Sequence, residues 1–311
     1  MKTPVLFIIF NRPETTKKVF ESIRQAKPQK LFIAADGPRE NKAKEEELCE
    51  ETRKIATMID WPCETRTLFR EKNLGCGKAV SEAITWFFEN VEEGIILEDD
   101  CLPDQSFFHF CSELLERYRL NDKIFMISGD NFLPKSLKPK ESYYFSKIAH
   151  IWGWATWKRA WREYDFKMRD FPIFLENKTI EKIWTQKENQ KYWLERFYEV
   201  TNGQIDTWDH QWTYTIWKNQ GFSVAPSVNL ISNIGFGSKG THTTNPNDIS
   251  SNLPREEMKF PLTINSTITQ YSLGDKYENK LSLPKGQIFK RILKKFGLFN
   301  IVKYIYLSIK K

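Results

Sequence analysis

The chain has 311 residues, 40% apolar and 28% charged, a balance that suits a folded globular enzyme and excludes a disordered, collagen-like or disulfide-scaffold protein. Its formal charge of +7 comes from 47 basic and 40 acidic residues. The seven cations after Gly286 (Lys290, Arg291, Lys294, Lys295, Lys303, Lys310 and Lys311) have no acid among them and account for the whole excess, so a nucleic-acid binder with a general basic face is disfavoured.

The first apolar run, Val5 to Phe10, shows no polar alternation and predicts a strand covered on both faces. Taken from Pro4, it is too short for a signal peptide and lacks a small-residue cleavage site, so a cytosolic start is expected. Further strands are predicted at Lys30 to Ala35, Thr65 to Phe69, Gly94 to Leu97 and Lys123 to Ile127. Helical spacing of apolar residues marks Glu14 to Ala26, Asn41 to Met58, Gly77 to Asn90 and Asp104 to Tyr118. This alternation predicts an α/β layer with a mostly parallel sheet flanked by helices.

Polar and Gly-rich clusters follow the carboxyl ends of these strands: Asn11-Arg12, Asp36 to Arg39, Arg70 to Gly77, Glu98 to Asp100 and Ser128 to Asn131. Turns and caps alone place Asp, Asn and Gly at strand ends. Five clusters on one edge nevertheless point to a ligand site, because that edge is where open parallel sheets bind ligands.

From about residue 143 to 235 the composition changes, with nine of the eleven tryptophans between Trp152 and Trp217. Trp154, Trp157 and Trp161 are three and four apart and predict one helical face, read first as a core stripe. Trp208 and Trp212 bracket Asp209 and His210, where an aromatic face could meet a sugar. The five cysteines form no Cys-x-x-Cys pair and are expected to be reduced, mostly buried thiols. No window approaches the roughly 18 to 20 apolar residues that span a bilayer. The tail from Gln287 to Lys311 mixes apolar residues with the seven cations and predicts a basic amphipathic helix, suited to an anionic membrane surface or to packing on the body.

The sharpest chemical signal is Glu98-Asp99-Asp100 after a buried strand. Three successive carboxylates repel and are costly to desolvate unless a cation neutralises them. Alternation along an extended chain predicts that Glu98 and Asp100 face one side. Hard oxygen ligands of this kind suit Mg²⁺ or Mn²⁺, completed by water and a substrate diphosphate.

With this triplet the sequence resembles a nucleotide-sugar glycosyltransferase of the GT-A fold, and it is most similar to the N-acetylglucosaminyltransferase I type family. In that family the acidic triplet is followed by a Pro-Asp-Phe-Phe type helix start, as in Leu102 to Phe108 here. A Gly-Trp step with a Trp-rich helix resembles Trp152-Gly153-Trp154 through Trp161. A Trp-Asp-Asp-Trp base motif is similar to Trp208-Asp209-His210-Gln211-Trp212, and Phe236 to Gly240 matches a Phe-Gly-x-Lys-Gly sequence before a mobile loop. Two departures concern the base motif: His210 replaces its second Asp, and one extra residue precedes its second Trp.

The resemblance spans residues 3–245 and implies a nucleotide-sugar-binding half (1–130) and an acceptor and catalytic half (131–245). Residues 246–285 would link or pack, and residues 286–311 form the basic tail. For the donor, UDP-sugar favoured, it implies contacts from Asn11, Arg12, Asp36, Arg70, Asn73, Lys78, Glu98, Asp99, Lys239 and His242, with Asp100 as the metal ligand. For a glycan or lipid-linked glycan acceptor it implies Trp152, Trp154, Trp208 and Trp212. The general base would be Asp209, with Asp206 as the alternative, in a direct displacement with inversion. A cytoplasmic enzyme, peripheral on the inner face of the membrane through its tail, follows.

Gly235 to Gly240 also fits Gly-x-Gly-x-x-Gly, but the residues after it offer no helix to hold a pyrophosphate, so a closing lid is expected there. Two other functions share some of these features. A sugar nucleotidyltransferase uses a related sheet but would carry a Gly-rich, Lys-containing loop after the first strand, where Phe10 to Glu14 stands. A non-catalytic carbohydrate-binding protein would use the tryptophans and have no need of the triplet.

Overall fold

The computed structural model describes residues 1–236, 251–264 and 267–282. β1 (Val5–Ile9) leads into α1 (Pro13–Ala26), β2 (Lys30–Ala35) into α2 (Glu45–Ala56), and β3 (Glu64–Phe69) into α3 (Cys76–Asn90). β4 (Glu93–Glu98) is followed, after a turn, by the short β5 (Cys101–Pro103), then α4 (Gln105–Tyr118) and β6 (Ile124–Ser128). The second half contributes β7 (Tyr143–Ser146), β8 (Trp154–Trp157), the one-turn α5 (Lys158–Trp161), α6 (Phe171–Glu176), α7 (Thr179–Ile183), α8 (Lys187–Thr201), α9 (Asp209–Lys218), β9 (Phe222–Pro226), β10 (Ile231–Asn233) and α10 (Ser272–Ser282).

One eight-stranded sheet runs through both halves in the order β3-β2-β1-β4-β8-β6-β9-β7. β1, β2, β3 and β4 pair in parallel, as do β6 and β9, whereas β8 runs antiparallel to both of its neighbours and β7 antiparallel to β9. The mostly parallel sheet flanked by helices that the sequence predicts is therefore present. Its central strands are buried on both faces. Val5, Phe7 and Ile9 face the layer of α1 and α4, while Leu6 faces the layer of α3 and α9. That two-sided burial is why β1 reads as an unbroken apolar run.

Two expectations need correction. The helix predicted from Asn41 begins only at Glu45, because Asn41 and Lys44 adopt left-handed backbone (φ 63° and 66°) that no helix accommodates. Trp154, Trp157 and Trp161 share no helical face either. Trp154 and Trp157 bound β8, and three residues apart on a strand point to opposite sides, so Trp154 joins one core layer and Trp157 the other. The helical spacing arose because one strand and one helical turn follow each other directly.

Among the described residues no helix is long and apolar enough to cross a membrane. The basic tail expected at 286–311 lies outside the described residues.

Candidate functional site

The carboxyl ends of β1, β2, β3 and β4 open onto a cavity of 440 Å³. Its walls on the sheet side include Phe10, Arg12, Asp36, Arg39, Arg70, Asn73, Glu98, Asp99 and Asp100. The facing wall is formed by Ile151, Trp152, Asp206, Thr207, Trp208, Asp209 and Asn233. Residues separated by more than a hundred positions thus meet because the sheet aligns its strand ends and the connection before α9 lies across them.

All three acids of the triplet reach the cavity. Alternation had put only Glu98 and Asp100 on one side, but β4 ends at Glu98 and the chain turns through Asp99-Asp100, so the extended-strand rule stops applying there. Asp99 accepts from the Phe10 amide (3.0 Å). The Arg12 guanidinium lies 2.5 Å from Asp100 Oδ2 and 3.5 Å from Asp99 Oδ1. Burial, reinforced by Asp100 and Asp99, raises the pKa of Glu98, and burial raises Asp99 against the opposing pull of Arg12. Among the described residues one guanidinium therefore faces three carboxylates, a set that a further cation would stabilise.

The second strand end carries Asp36, whose carboxylate accepts from the amides of Gly37 and Leu74 (both 3.0 Å) and whose pKa burial nonetheless raises. Asn73 donates to the Gly37 carbonyl (2.8 Å) and accepts from the Gly75 amide (3.2 Å), which pins the loop after β3 beside Asp36. Arg70 lies in the wall, 3.3 Å from Glu82. Arg39, not singled out from the sequence, also lines the cavity, paired with buried Glu45 and 5.5 Å from the Phe10 ring centroid. Its signal was its place in Asp36-Gly37-Pro38-Arg39, just past a strand end.

Two expected donor contacts are absent from the wall. Asn11 turns away and donates to Glu45 (2.9 Å), tying the loop after β1 to α2. Lys78 is exposed and sits 3.7 Å from Glu82 one helical turn on. The helix start that was to favour a diphosphate beside it is occupied by a carboxylate of the chain itself. Asp206 accepts from the Gly77 amide (3.0 Å) in the first turn of α3, where its negative charge suits the helix dipole. Both glycines there are required for this approach. A Cβ on Gly75 or Gly77 would stand 2.5 or 2.6 Å from an Asp206 oxygen, and Gly75 also has φ +82°.

Asp209 opens α9, accepts from the Thr207 hydroxyl, and has His210 Nδ1 at 3.5 Å. Asp206 is thus committed to the start of α3, while Asp209, at the start of its own helix, is held in the wall by the Thr207 hydroxyl. Cys76 also lines the cavity, but burial and then Glu98 raise its thiol pKa, so it is no ready nucleophile.

Of the four tryptophans, Trp152 is partly exposed and Trp208, though nearly buried, still lines the cavity, its ring stacked on Trp154 at 5.6 Å. Trp154 and Trp212 have no exposed surface and pack behind Trp208 as core, which corrects the acceptor role expected of them. Lys239 and His242 lie outside the described residues, as does most of the expected lid.

Among the described residues no three His, Cys, Asp or Glu converge as a metal cage. The donor set still fits Mg²⁺ or Mn²⁺, which proteins commonly hold through one or two carboxylates while water and substrate phosphates complete the shell.

No family model and no curated protein matches the sequence. Among solved structures, the chain is similar to HddC from Yersinia pseudotuberculosis, with 9% identity over 55% of this chain and 85% of that one and a TM-score of 0.32. It is also similar to a UDP-glucose pyrophosphorylase complexed with UDP-glucose (11% identity, 73% of this chain, 90% of that chain, TM-score 0.36). A third similar structure is 4-diphosphocytidyl-2C-methyl-D-erythritolsynthase from Anaerococcus prevotii (8% identity, 50% of this chain, 72% of that chain, TM-score 0.30).

Proposed function

We propose that this chain is a glycosyltransferase that moves a sugar from a nucleoside-diphosphate sugar, UDP-sugar favoured, to a hydroxyl of a glycan or lipid-linked glycan. One observation carries the reading: a single cavity brings the acidic triplet of one half together with Asp209, Trp152 and Trp208 of the other. A binding protein for sugars needs the aromatic wall but not three carboxylates under it.

In this reading the nucleotide lies along the ends of β1 to β3, with Asp36, Asn73, Phe10 and Arg39 on its base and ribose side. Arg70 supplies positive charge for the diphosphate. A divalent cation, held by Asp100, would add charge where the leaving diphosphate develops it. Asp209 accepts the proton of the acceptor hydroxyl as its oxygen attacks the anomeric carbon. The bond from that carbon to the diphosphate oxygen breaks with its electron pair on the diphosphate, which gives inversion. Trp152 and Trp208 present apolar faces to the pyranose C–H groups and exclude water. Asp206 keeps α3 and the wall in register. The tail at 286–311 holds the enzyme at an anionic membrane surface, and deleting residues 287–311 should reduce binding to anionic liposomes.

The deciding experiment is thermal shift and slow donor hydrolysis against UDP, GDP, CMP and dTDP sugars, with and without Mn²⁺ or Mg²⁺, beside Asp100→Ala. Cation-dependent stabilisation and hydrolysis by one donor, lost in Asp100→Ala, is expected. No response to any donor would defeat the proposal. Release of pyrophosphate from a nucleoside triphosphate and a sugar 1-phosphate would instead favour a nucleotidyltransferase.

A further inference from the structure

His150 lies beneath the aromatic wall and is itself buried. Both of its ring nitrogens meet carboxylates: Nδ1 is 3.0 Å from Asp130 Oδ1 at the end of β6, and Nε2 is 2.9 Å from Glu278 Oε2 on α10. Phe132 stacks on the imidazole, with ring centroids 5.3 Å apart, and meets Trp152 edge-on at the same separation. The two residues after His150, Ile151 and Trp152, line the cavity. Next in the chain, Gly153 (φ +62°) passes so close to Ile231 that a Cβ would stand 2.5 Å from its Cδ1, which leaves the backbone one path.

Helix α10 is held here by buried polar contacts and by Tyr277, which packs against the Leu133, Tyr144 and Ala225 cluster. Glu278 accepts from the Tyr144 hydroxyl (3.2 Å), Asp275 accepts from Ser146 Oγ (2.6 Å) and the Lys147 amide (2.9 Å), and Asn279 accepts from the Trp193 indole (2.8 Å). Buried carboxylates are costly without a cation, and a protonated His150 between Asp130 and Glu278 would supply one.

We propose that His150 is a positioning residue that clamps α10 to the sheet and thereby sets the Ile151-Trp152 side of the cavity. Its effect on acceptor binding rests on the transferase reading, whereas the clamp itself does not. Burial alone would lower the pKa of His150, but Glu278 and Asp130 together raise it well above the ordinary value. A raised folded-state value means that the clamp is fully present below the unfolded pKa, about 6.5, and is lost as pH rises through the folded one. Among the described residues the groups facing the ring are Asp130 and Glu278, with Tyr144 and Asp275 beyond Glu278 and Lys147 directed at the carbonyls of Gln220 and Gly221.

The test is amide hydrogen exchange on the full chain, wild type and Glu278→Gln, across about pH 6 to about pH 10, with exchange rates corrected for intrinsic pH dependence. In Glu278→Gln, protection in α10, around Asp130 and at Ile151-Trp152 should fall together by about tenfold or more while β1 is unchanged. In the wild type the same three segments should lose protection together as pH rises. Loosening of α10 without change at Ile151-Trp152 overturns the proposal. If Glu278→Gln also loosens β1, Tyr144→Phe and the wild-type pH series decide. Where a donor and acceptor are active, Glu278→Gln should raise the acceptor KM with the donor KM unchanged. A wild type inactive with every donor refutes the transferase reading and leaves the exchange result to decide the clamp.

Discussion

Gly235 offers the most direct test of how the acidic triplet is held. A Cβ added there would stand 2.7 Å from both Cβ and Cγ of Asp100 and closer still to a carboxylate oxygen. Carbon atoms in contact need about 3.5 to 4 Å, so roughly 1 Å must be found. Rotating the carboxylate relieves only the oxygen contact. The rest requires β10 and β5 to part, and these are joined by the Asn233–Cys101 pairing and by the Ile234 amide on the Asp100 carbonyl (2.8 Å). Overpacking of this kind costs about 1 to 3 kcal/mol, or about 2 to 10 °C in Tm. It also displaces the Asp100 carboxylate from its place in the cavity wall, so cation affinity measured by Mn²⁺ titration in the presence of UDP should fall about 10- to 100-fold. Asp100→Ala removes Cγ and the oxygens, so the double substitution Gly235→Ala with Asp100→Ala should recover about 1 kcal/mol relative to additivity. Wild-type Tm and wild-type Mn²⁺ response in Gly235→Ala would refute this account of the site.

Asp209→Asn should lower transfer by about 10²- to 10⁴-fold while preserving donor-induced stabilisation, and full activity would remove Asp209 as the base. Asp206→Ala should instead lower stability by about 0.5 to 2 kcal/mol, since it removes the acceptor at the start of α3, and an unchanged urea midpoint would count against that role. Trp154→Ala should cost about 3 to 5 kcal/mol as a core cavity, whereas Trp152→Ala should change stability far less and raise the acceptor KM; equal destabilisation would contradict the assignment. Because burial raises both Glu98 and Asp99, their contribution to stability is fully present below about pH 4 and is lost as pH rises to about pH 8. Divalent cations should offset that loss, and Glu98→Gln should flatten it. Identical thermal-shift profiles in both proteins would disprove the coupling.

The strands and helices of residues 1–130 are legible in the sequence because their signals are local. A strand buried on both faces shows as an apolar run, and a helix packed on a sheet shows as a 3.6-residue stripe. The strand-end clusters are legible for the same reason, and they already contain Arg12, Asp36, Arg70, Asn73 and the triplet. The second half is not read so easily. Trp154 to Trp161 carries helical spacing yet forms a strand and a single turn, because insertion of β8 between β4 and β6 decides its conformation and no local pattern records that pairing. What each carboxylate binds is likewise a tertiary matter: Asp206 meets the amide of Gly77, 129 positions away, whereas Asp209 opens α9 and accepts from the neighbouring Thr207 hydroxyl. The sequence by itself determined a mostly parallel α/β layer with acids at its carboxyl edge. Only the tertiary structure decided that Trp154 and Trp212 are core, that Gly235 lies where a side chain would meet Asp100, and that His150 meets Glu278 of α10, since each depends on a contact between segments far apart in the chain.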